Sequence, residues 1–319
     1  MLSYIIRRLL TMIPMLLIIC FLIFVGMELM PTDPISYMVG PEQIANMTPE
    51  KLEEMREALG LNRPFIVRFF EWLGGIARGD FGYSLTNGQP IKDIIAAKLP
   101  ATIELSLYAL LISTVFGVFL GILSAVKRGS TTDSALTVLG MVGISIPEFF
   151  FGLVMILVFA INLKWLPIGG RTLPEYTSYW QQFRHVIMPA TILGISMTAG
   201  VMRYSRSSML DALNRDFLKT ARAKGLPKWR IYILHGFRVA LTPVVVLIGF
   251  RLPTLVGGSV VVEQIFQWPG IGDAFVTAVR GNNYPLVMMI ALLTVTMMLA
   301  ASLIVDVLTA LIDPRVRLE

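Results

Sequence analysis

Three ionisable residues stand well inside apolar runs of this sequence, Glu28 and Glu104 lie near the ends of such runs, and a cluster of basic residues crowds one polar stretch between two of them. Arg251 is central in one run, Glu148 follows Pro147 in another, and Asp306 lies toward the end of the last. A charge at the middle of a bilayer costs about 2.5–3.5 kcal/mol on insertion scales, so such a residue marks either a hydrated path or an ion pair between helices. On a path, Arg251 would meet a carboxylate and Glu148 an amino group; Asp306 fits a structural pair with the basic stretch better. Other chemistry is missing. The sequence has no Gly-x-x-x-x-Gly-Lys-Ser/Thr phosphate loop, no His-Glu-x-x-His, no Cys-x-x-Cys and no credible nucleophile–base pair. With Cys20 the only cysteine and His185 and His235 the only histidines, neither a disulfide framework nor a metal centre is expected. The chain reads as a non-enzyme that binds no cofactor of its own.

The elements holding these residues follow from composition. Of 319 residues 55% are hydrophobic and 15% charged, with a net charge of +6 and a mean hydropathy of +0.71. Soluble domains average about 45–50% apolar and about 25% charged. A membrane-crossing helix needs about 20 apolar residues, and six segments approach or exceed this: 9–30, 105–126, 135–163, 186–202, 241–262 and 284–312. The third is broken by Pro147 and the fourth is the shortest. Pro189, Gly194, Pro253, Gly257 and Gly258 do not veto their spans, because neighbouring helices can satisfy freed backbone groups. The expected fold class is an all-α polytopic membrane protein with six transmembrane helices. The first run exceeds a signal-peptide core and no small-x-small cleavage site precedes Pro31, so a retained anchor is expected.

Short-loop charges set the orientation. Arg7, Arg8, Lys127, Arg128, the basic cluster Arg203 to Arg238, and Arg315 with Arg317 share one side if there are six spans. That side is read as cytoplasmic, with both termini inside, and the net positive charge is read as membrane-facing with no nucleic-acid partner. Residues 31–100 then form a long extracytoplasmic insertion. In it Thr48 suits an N-cap, Pro49 a first helical position and Gly60 a C′ position, with Leu52, Met55 and Leu59 on one face. Gly79–Gly82 and Asn87-Gly88 read as turns. The insertion is either a packed cap or a docking surface for an outer partner.

Segment 203–243 is too polar to span yet periodic. Leu210, Leu213, Phe217 and Ala221 repeat at helical spacing, Gly225 ends that helix and Pro227 opens another, giving a helix–turn–helix hairpin. Anionic headgroups are one partner for it; a groove receiving the small residues Ala221, Ala223 and Gly225 is another.

The run Thr220-Ala221-Arg222-Ala223-Lys224-Gly225-Leu226, with Arg206 to Leu210 before it, resembles the coupling loop of binding-protein-dependent ABC importer permeases. The resemblance narrows to the first of the two permeases of dipeptide/oligopeptide systems. It extends through Tyr4 to Leu9, Thr32-Asp33-Pro34, Leu59-Gly60-Leu61, Gly79 to Ser84, Leu99-Pro100-Ala101-Thr102, Trp165-Leu166-Pro167 and Met188-Pro189-Ala190. It ends with Glu263 to Gly272, including Trp268, Pro269 and Gly270, and with Asp313-Pro314-Arg315. Two features depart from the wider superfamily. Lys219-Thr220-Ala221 stands where Glu-Ala-Ala is usual, and His235-Gly236-Phe237-Arg238 lacks the proline of the later block.

The resemblance implies a type I ABC importer permease fold for residues 99–312, with the coupling loop at 203–243, after an N-terminal portion 1–98 and before a short cytoplasmic tail 313–319. It implies a permease subunit importing di- or oligopeptides across a bacterial or archaeal cytoplasmic membrane. Its partners would be a second, homologous permease, two ATPase subunits binding ATP and magnesium, and an extracytoplasmic peptide-binding protein. Ala221, Arg222, Ala223, Lys224 and Gly225 would couple to the ATPases. Nickel or glutathione as cargo, a secondary transporter acting alone, and a non-transporting scaffold are the alternatives. No convincing internal repeat supports the secondary transporter.

Overall fold

The computed structural model describes residues 2–29, 35, 47–58, 60–172, 177–249, 251 and 260–312. Thr32-Asp33-Pro34, Leu59, Pro253, Gly257, Gly258 and the tail 313–319 lie outside the described residues.

Contacts divide the chain into two compact units, Leu2–Pro100 with Ala274–Leu299 and Ala101–Asp273 with Ala300–Glu319. In the first, the apolar helix α1 (Leu2–Glu28) packs against α3 (Phe65–Ala77). Phe21 and Phe24 meet Phe65 and Phe69 with ring centroids 5.3–5.9 Å apart, and Phe24 also meets Trp72 at 5.4 Å. Edge-on and tilted arrangements of this kind match positive ring edges to negative faces. Arg68 of α3 is paired with Glu28. Helix α2 (Pro49–Ala58) begins as its sequence anticipates: the Lys51 amide donates to Thr48 Oγ1 at 3.4 Å, and Gly60 takes φ +68° beyond its end. The expected turns are present, with Gly79, Gly82 and Gly88 all at positive φ. Buried Asn283 holds this loop: its Nδ2 donates to Ser84 Oγ at 2.7 Å and its Oδ1 accepts from the Leu85 amide at 3.1 Å.

The second unit centres on α7 (Tyr179–Leu213), 35 residues long. Around it lie α4 (Ile91–Val126), α5 (Thr131–Ser145), α6 (Glu148–Met155) with its π-helical extension Ile156–Asn162, and α8 (Asp216–Ala223). Further along are α9 (Lys228–Arg230) with a π-helical continuation Ile231–Phe237, α10 (Arg238–Gly249) and α11 (Val260–Ile265), while α12 (Ile271–Arg280) starts in this unit and from Ala274 belongs to the first. The last described helix is α13 (Tyr284–Ile312), which belongs to the first unit as far as Leu299 and to the second beyond it.

Among the described residues, four helical stretches are long and apolar enough to cross a bilayer: Ile6–Gly26, Ile91–Val126, Tyr179–Leu213 and Tyr284–Thr309. Two more qualify as bent pairs, Thr131–Ser145 with Glu148–Asn162 at 97° and Lys228–Leu241 with Pro243–Gly249 at 43°, which makes six. The 97° break falls at Pro147, where the missing amide and fixed φ end α5 and restart the chain as α6.

Three boundaries differ from the expectations. The fourth span is not short, because a capping box from Ser178 and Gln181 starts α7 well before its apolar segment and the helix runs on to Leu213. The second starts at Ile91, so Leu99-Pro100-Ala101-Thr102 lies inside a helix rather than ahead of one. The fifth covers 238–249 among the described residues, and Val260–Ile265 is a separate helix.

Glycine sets how closely α4 and α7 approach. A Cβ on Gly117 would stand 2.6 Å from Val201 Cβ, and one on Gly121 2.5 Å from the Met202 carbonyl oxygen. Across the interface, a Cβ on Gly194 would stand 2.6 Å from Ile112. Close backbone approach through small residues is how helices associate where the surrounding solvent is as apolar as they are. Gly121→Leu should force the pair apart and lower the stability of the detergent-solubilised protein by about 1–3 kcal/mol, the usual cost of overpacking. A thermal melt unchanged from wild type would show that the backbones do not touch there.

Candidate functional site

The polar stretch after α7 folds as a hairpin. The expected stripe of Leu210, Leu213, Phe217 and Ala221 is broken, because α7 stops at Leu213 and α8 restarts at Asp216. The restart rotates the apolar face: Leu218 is fully buried and Phe217 is exposed. Leu218, Ala221 and Ile231 form a small core with Leu213, Leu226 and Tyr232 packed around it. Gly225, at φ +74°, closes α8. The Leu226 amide donates to the Ala221 carbonyl at 3.3 Å and the Gly225 amide to that of Arg222 at 3.0 Å, the pattern that satisfies a helix's last carbonyls. Of the five residues expected to couple, Ala221 faces the hairpin core, whereas Arg222, Ala223, Lys224 and Gly225 lie on its outer rim. The return limb is anchored too: Met209, Ala212, Ala125 and Ala240 form one buried cluster flanked by Tyr232 and Val239.

Above the hairpin is a constellation that sequence reasoning missed. Asp133, in the first turn of α5, has 8% of its side chain exposed and is paired with Arg206 of α7. Arg206 donates through Nε to Oδ1 at 2.9 Å and through Nη2 to Oδ2 at 2.8 Å, a two-pronged fork. Ser124 of α4 also donates to Oδ1, and the Gly129 amide donates to Oδ2 at 3.0 Å. Arg206 Nε lies 3.0 Å from Ser124 Oγ as well.

A second network gathers the residues around Glu263. This glutamate is wholly buried in α11. Its Oε1 accepts from Thr102 Oγ1 at 2.8 Å and its Oε2 from the Asp273 amide at 3.0 Å, while Thr102 Oγ1 accepts from the Ile271 amide at 2.8 Å. Two side chains thus cap the exposed amides at the start of α12, where negative charge is also favoured. Trp268 Nε1 donates to the Ala101 carbonyl at 2.8 Å, and a Cβ on Gly270 would lie 2.4 Å from the Glu263 carboxyl carbon. Ala101-Thr102 and Glu263–Gly272 are therefore two halves of one lock. Pro269 is half-buried between Trp268 and Gly270. The loop after the π-helical turn joins it: Gly170 donates its amide to the Phe266 carbonyl at 2.7 Å, and His185 Nδ1 donates to the Gly169 carbonyl at 2.8 Å. Glu104 is tied to Arg171 at 2.7 Å.

The two residues expected on a transport path are both half-buried. Glu148 opens α6 beyond the Pro147 break, and Arg251 lies so close to α7 that a Cβ on Gly200 would meet its Nη2 at 2.4 Å. Neither lines the cavity of about 430 Å³ between α4, α5 and α7, whose walls are apolar apart from Thr191 and Thr198. A second cavity, of about 400 Å³, is polar and lined by Lys164, Gln181, Arg184 and His185 among others. Among the described residues no three metal-ligating side chains gather.

Burial pushes the Glu263 carboxyl above the ordinary glutamate value, against the opposing pull of its donors Thr102, Asp273 and Gly272, and the nearby Asp273 charge adds to the rise. A carboxyl raised in the folded state stabilises below its unfolded pKa and loses that contribution as pH climbs through the folded value. Wild type should therefore lose stability relative to Glu263→Gln as pH rises from about 4.5. Unfolding midpoints of the two that stay parallel between about pH 4 and pH 8 would contradict this. Gly270→Ala should cost more than either state of the carboxyl, since its Cβ has no room.

Sequence comparisons cover 99% of the chain and a structure comparison 70% of it. The family described as Binding-protein-dependent transport system inner membrane component matches residues 117–318, and its N-terminal companion family matches residues 1–106. The Oligopeptide transport system permease protein AppB of Bacillus subtilis (strain 168) is 41% identical over 318 residues, covering 99% of each chain. The Di/tripeptide transport system permease protein DppB of Pseudomonas aeruginosa (strain UCBPP-PA14) is 36% identical over 336 residues, again 99% of each. The Glutathione transport system permease protein GsiC of Escherichia coli (strain K12) is 36% identical over 317 residues, with 99% of each covered. Among solved structures, one of the inward-facing MetNI methionine ABC transporter superposes with a TM-score of 0.56 at 17% identity, covering 70% of this chain and 98% of that one.

Proposed function

We propose, for a chain that belongs to the family of binding-protein-dependent transport system inner membrane components and has the type I ABC importer permease fold, that it carries di- and oligopeptides inward as one of two homologous permease subunits. The observation that carries this reading is likeness over 99% of the chain to permeases named for oligopeptides and for di- and tripeptides. In this reading two ATPase subunits bind ATP and magnesium and seat on the hairpin rim of Arg222, Ala223, Lys224 and Gly225. An outer binding protein delivers the cargo. Both termini and the hairpin face the cytoplasm, as the distribution of Lys and Arg among short loops indicates.

The hairpin is built for this task. Its core of Leu218, Ala221 and Ile231 keeps α8 rigid, and the Met209–Ala240 cluster bolts it to α7 and α10. Closure of the ATPases then biases the equilibrium between inward- and outward-open arrangements, with the hairpin as the element both partners feel. Arg251 beside Gly200 and Glu148 at the Pro147 break offer opposite charges for the two ends of a zwitterionic peptide. Glutathione, itself a short peptide, is the second cargo to weigh, because GsiC matches the chain over the same length.

Purified with its operon partners and reconstituted in liposomes, the complex should show ATP-dependent uptake of a labelled tripeptide that excess unlabelled peptide suppresses. Suppression by glutathione alone would reassign the cargo, and uptake by the isolated chain on an ion gradient would overturn the reading. Arg222→Glu combined with Lys224→Glu gives up the Arg222 Nη2 bond to the Leu213 carbonyl at 3.3 Å but leaves the packed side chains of Leu218, Ala221 and Ile231 in place. It should weaken ATPase docking by about tenfold or more, which is about 1.4 kcal/mol, so that the ATPases no longer co-purify and ATP-dependent uptake is lost while membrane insertion stays at wild-type level.

A further inference from the structure

The geometry points to Asp133 and Arg206 as positioning residues for transport: we propose that their ion pair is the joint through which the hairpin moves α4 and α5, and with α5 the bent third span. This inference rests on the hairpin being the element the ATPases act upon.

Three helices meet at this one carboxylate. α5 supplies Asp133, α7 supplies the Arg206 fork, and α4 supplies Ser124 and, just past its end, the Gly129 amide. The contact is fixed in direction as well as strength. A forked guanidinium resists rotation about the axis between the helices, which a single hydrogen bond does not. Oδ1 and Oδ2 have separate donor sets, so the carboxylate cannot turn without losing one set.

The joint is also placed to receive motion. Arg206 lies seven residues before the end of α7 at Leu213, about 10 Å along the helix axis, and α8 begins just beyond. The intervening turn is braced by Met209 and Ala212 against Ala125 of α4 and Ala240 of α10. One turn above, Gly121 brings the α4 backbone against Met202 and Ser205 of α7. A push on the hairpin thus reaches α7 first, and the Asp133 carboxylate passes it to α5. From there it reaches the 97° bend before α6. A pair that merely stabilised these helices would work equally well without the fork, since burial and a single hydrogen bond would hold the same contact.

The full complex, with Cys20→Ser as background, tests this in proteoliposomes. Three quantities are read: peptide taken up per ATP hydrolysed, the nucleotide response of a spin label at Lys219 on α8, and that of a label at Val138 on α5. In Asp133→Asn the Lys219 label should still respond, the Val138 label should not, and uptake per ATP should fall about tenfold, within the range seen for residues that modulate coupling. Arg206→Lys keeps the attraction and loses the fork; it should assemble at wild-type level and show a partial loss of the same ratio. Unchanged uptake per ATP in Arg206→Lys overturns the proposal, including the case in which Asp133→Asn fails to assemble. Equal loss of uptake and hydrolysis with both labels responding also overturns it, because the role is then structural. A wild-type complex whose Lys219 label ignores nucleotide would instead sink the coupling role of the hairpin.

Discussion

A polar group buried at a helix end has no water to supply a missing hydrogen bond, so its stability depends on a partner elsewhere in the protein. That constraint organises this molecule. The start of α12 is served by Glu263 and Thr102, the Asp133 carboxylate by Arg206, Ser124 and Gly129, and the indole of Trp268 by a carbonyl of α4. Each arrangement joins segments distant in sequence, and each sits where helices begin, end or bend. Removing one member of a buried pair leaves the other charge without compensation, at about 3–5 kcal/mol. Polar contacts here act as fasteners between elements whose apolar surfaces alone would let them slide.

Much of this was legible in the sequence. Apolar runs gave the spans, Pro147 gave the break in the third, and Gly225 followed by Pro227 gave the hairpin turn, because each signal is local. Thr48, Pro49 and Gly60 bracketed α2 for the same reason. The fourth span was misjudged because its ends are polar: residues 179–185 and 203–213 carry Arg and Gln, yet a capping box and packing on α10 keep them helical. Phe217 was placed on the wrong face because a two-residue break resets helical phase, and hydrophobic spacing alone does not reveal such a break.

The fasteners were least legible. Asp133 and Arg206 are separated by 73 residues and Thr102 and Glu263 by 161, and neither pair advertises itself by spacing. Arg206 looked like one more basic residue of the inner loop. Its fork became visible only when α5 and α7 were laid side by side. The outer block Glu263–Gly272 was recognisable as a unit from its resemblance, but its reason was not: Gly270 is small to leave room for a carboxylate, and that carboxylate is present to cap a helix.

The widened turn at Ile231–Phe237 has a bearing on how this chain tolerates insertions and deletions. A π-helical turn carries one residue more than an α-helical turn for the same advance. That surplus rotates everything after it by about 100° relative to regular winding. Ala240 and Val244, buried in α10, therefore owe their inward direction to one surplus residue upstream. The hairpin is thus metered as well as shaped. Adding or deleting a single residue between Pro227 and Arg238 would swing the fifth span's apolar seam about 100° off its packing direction, even if every remaining side chain were preserved.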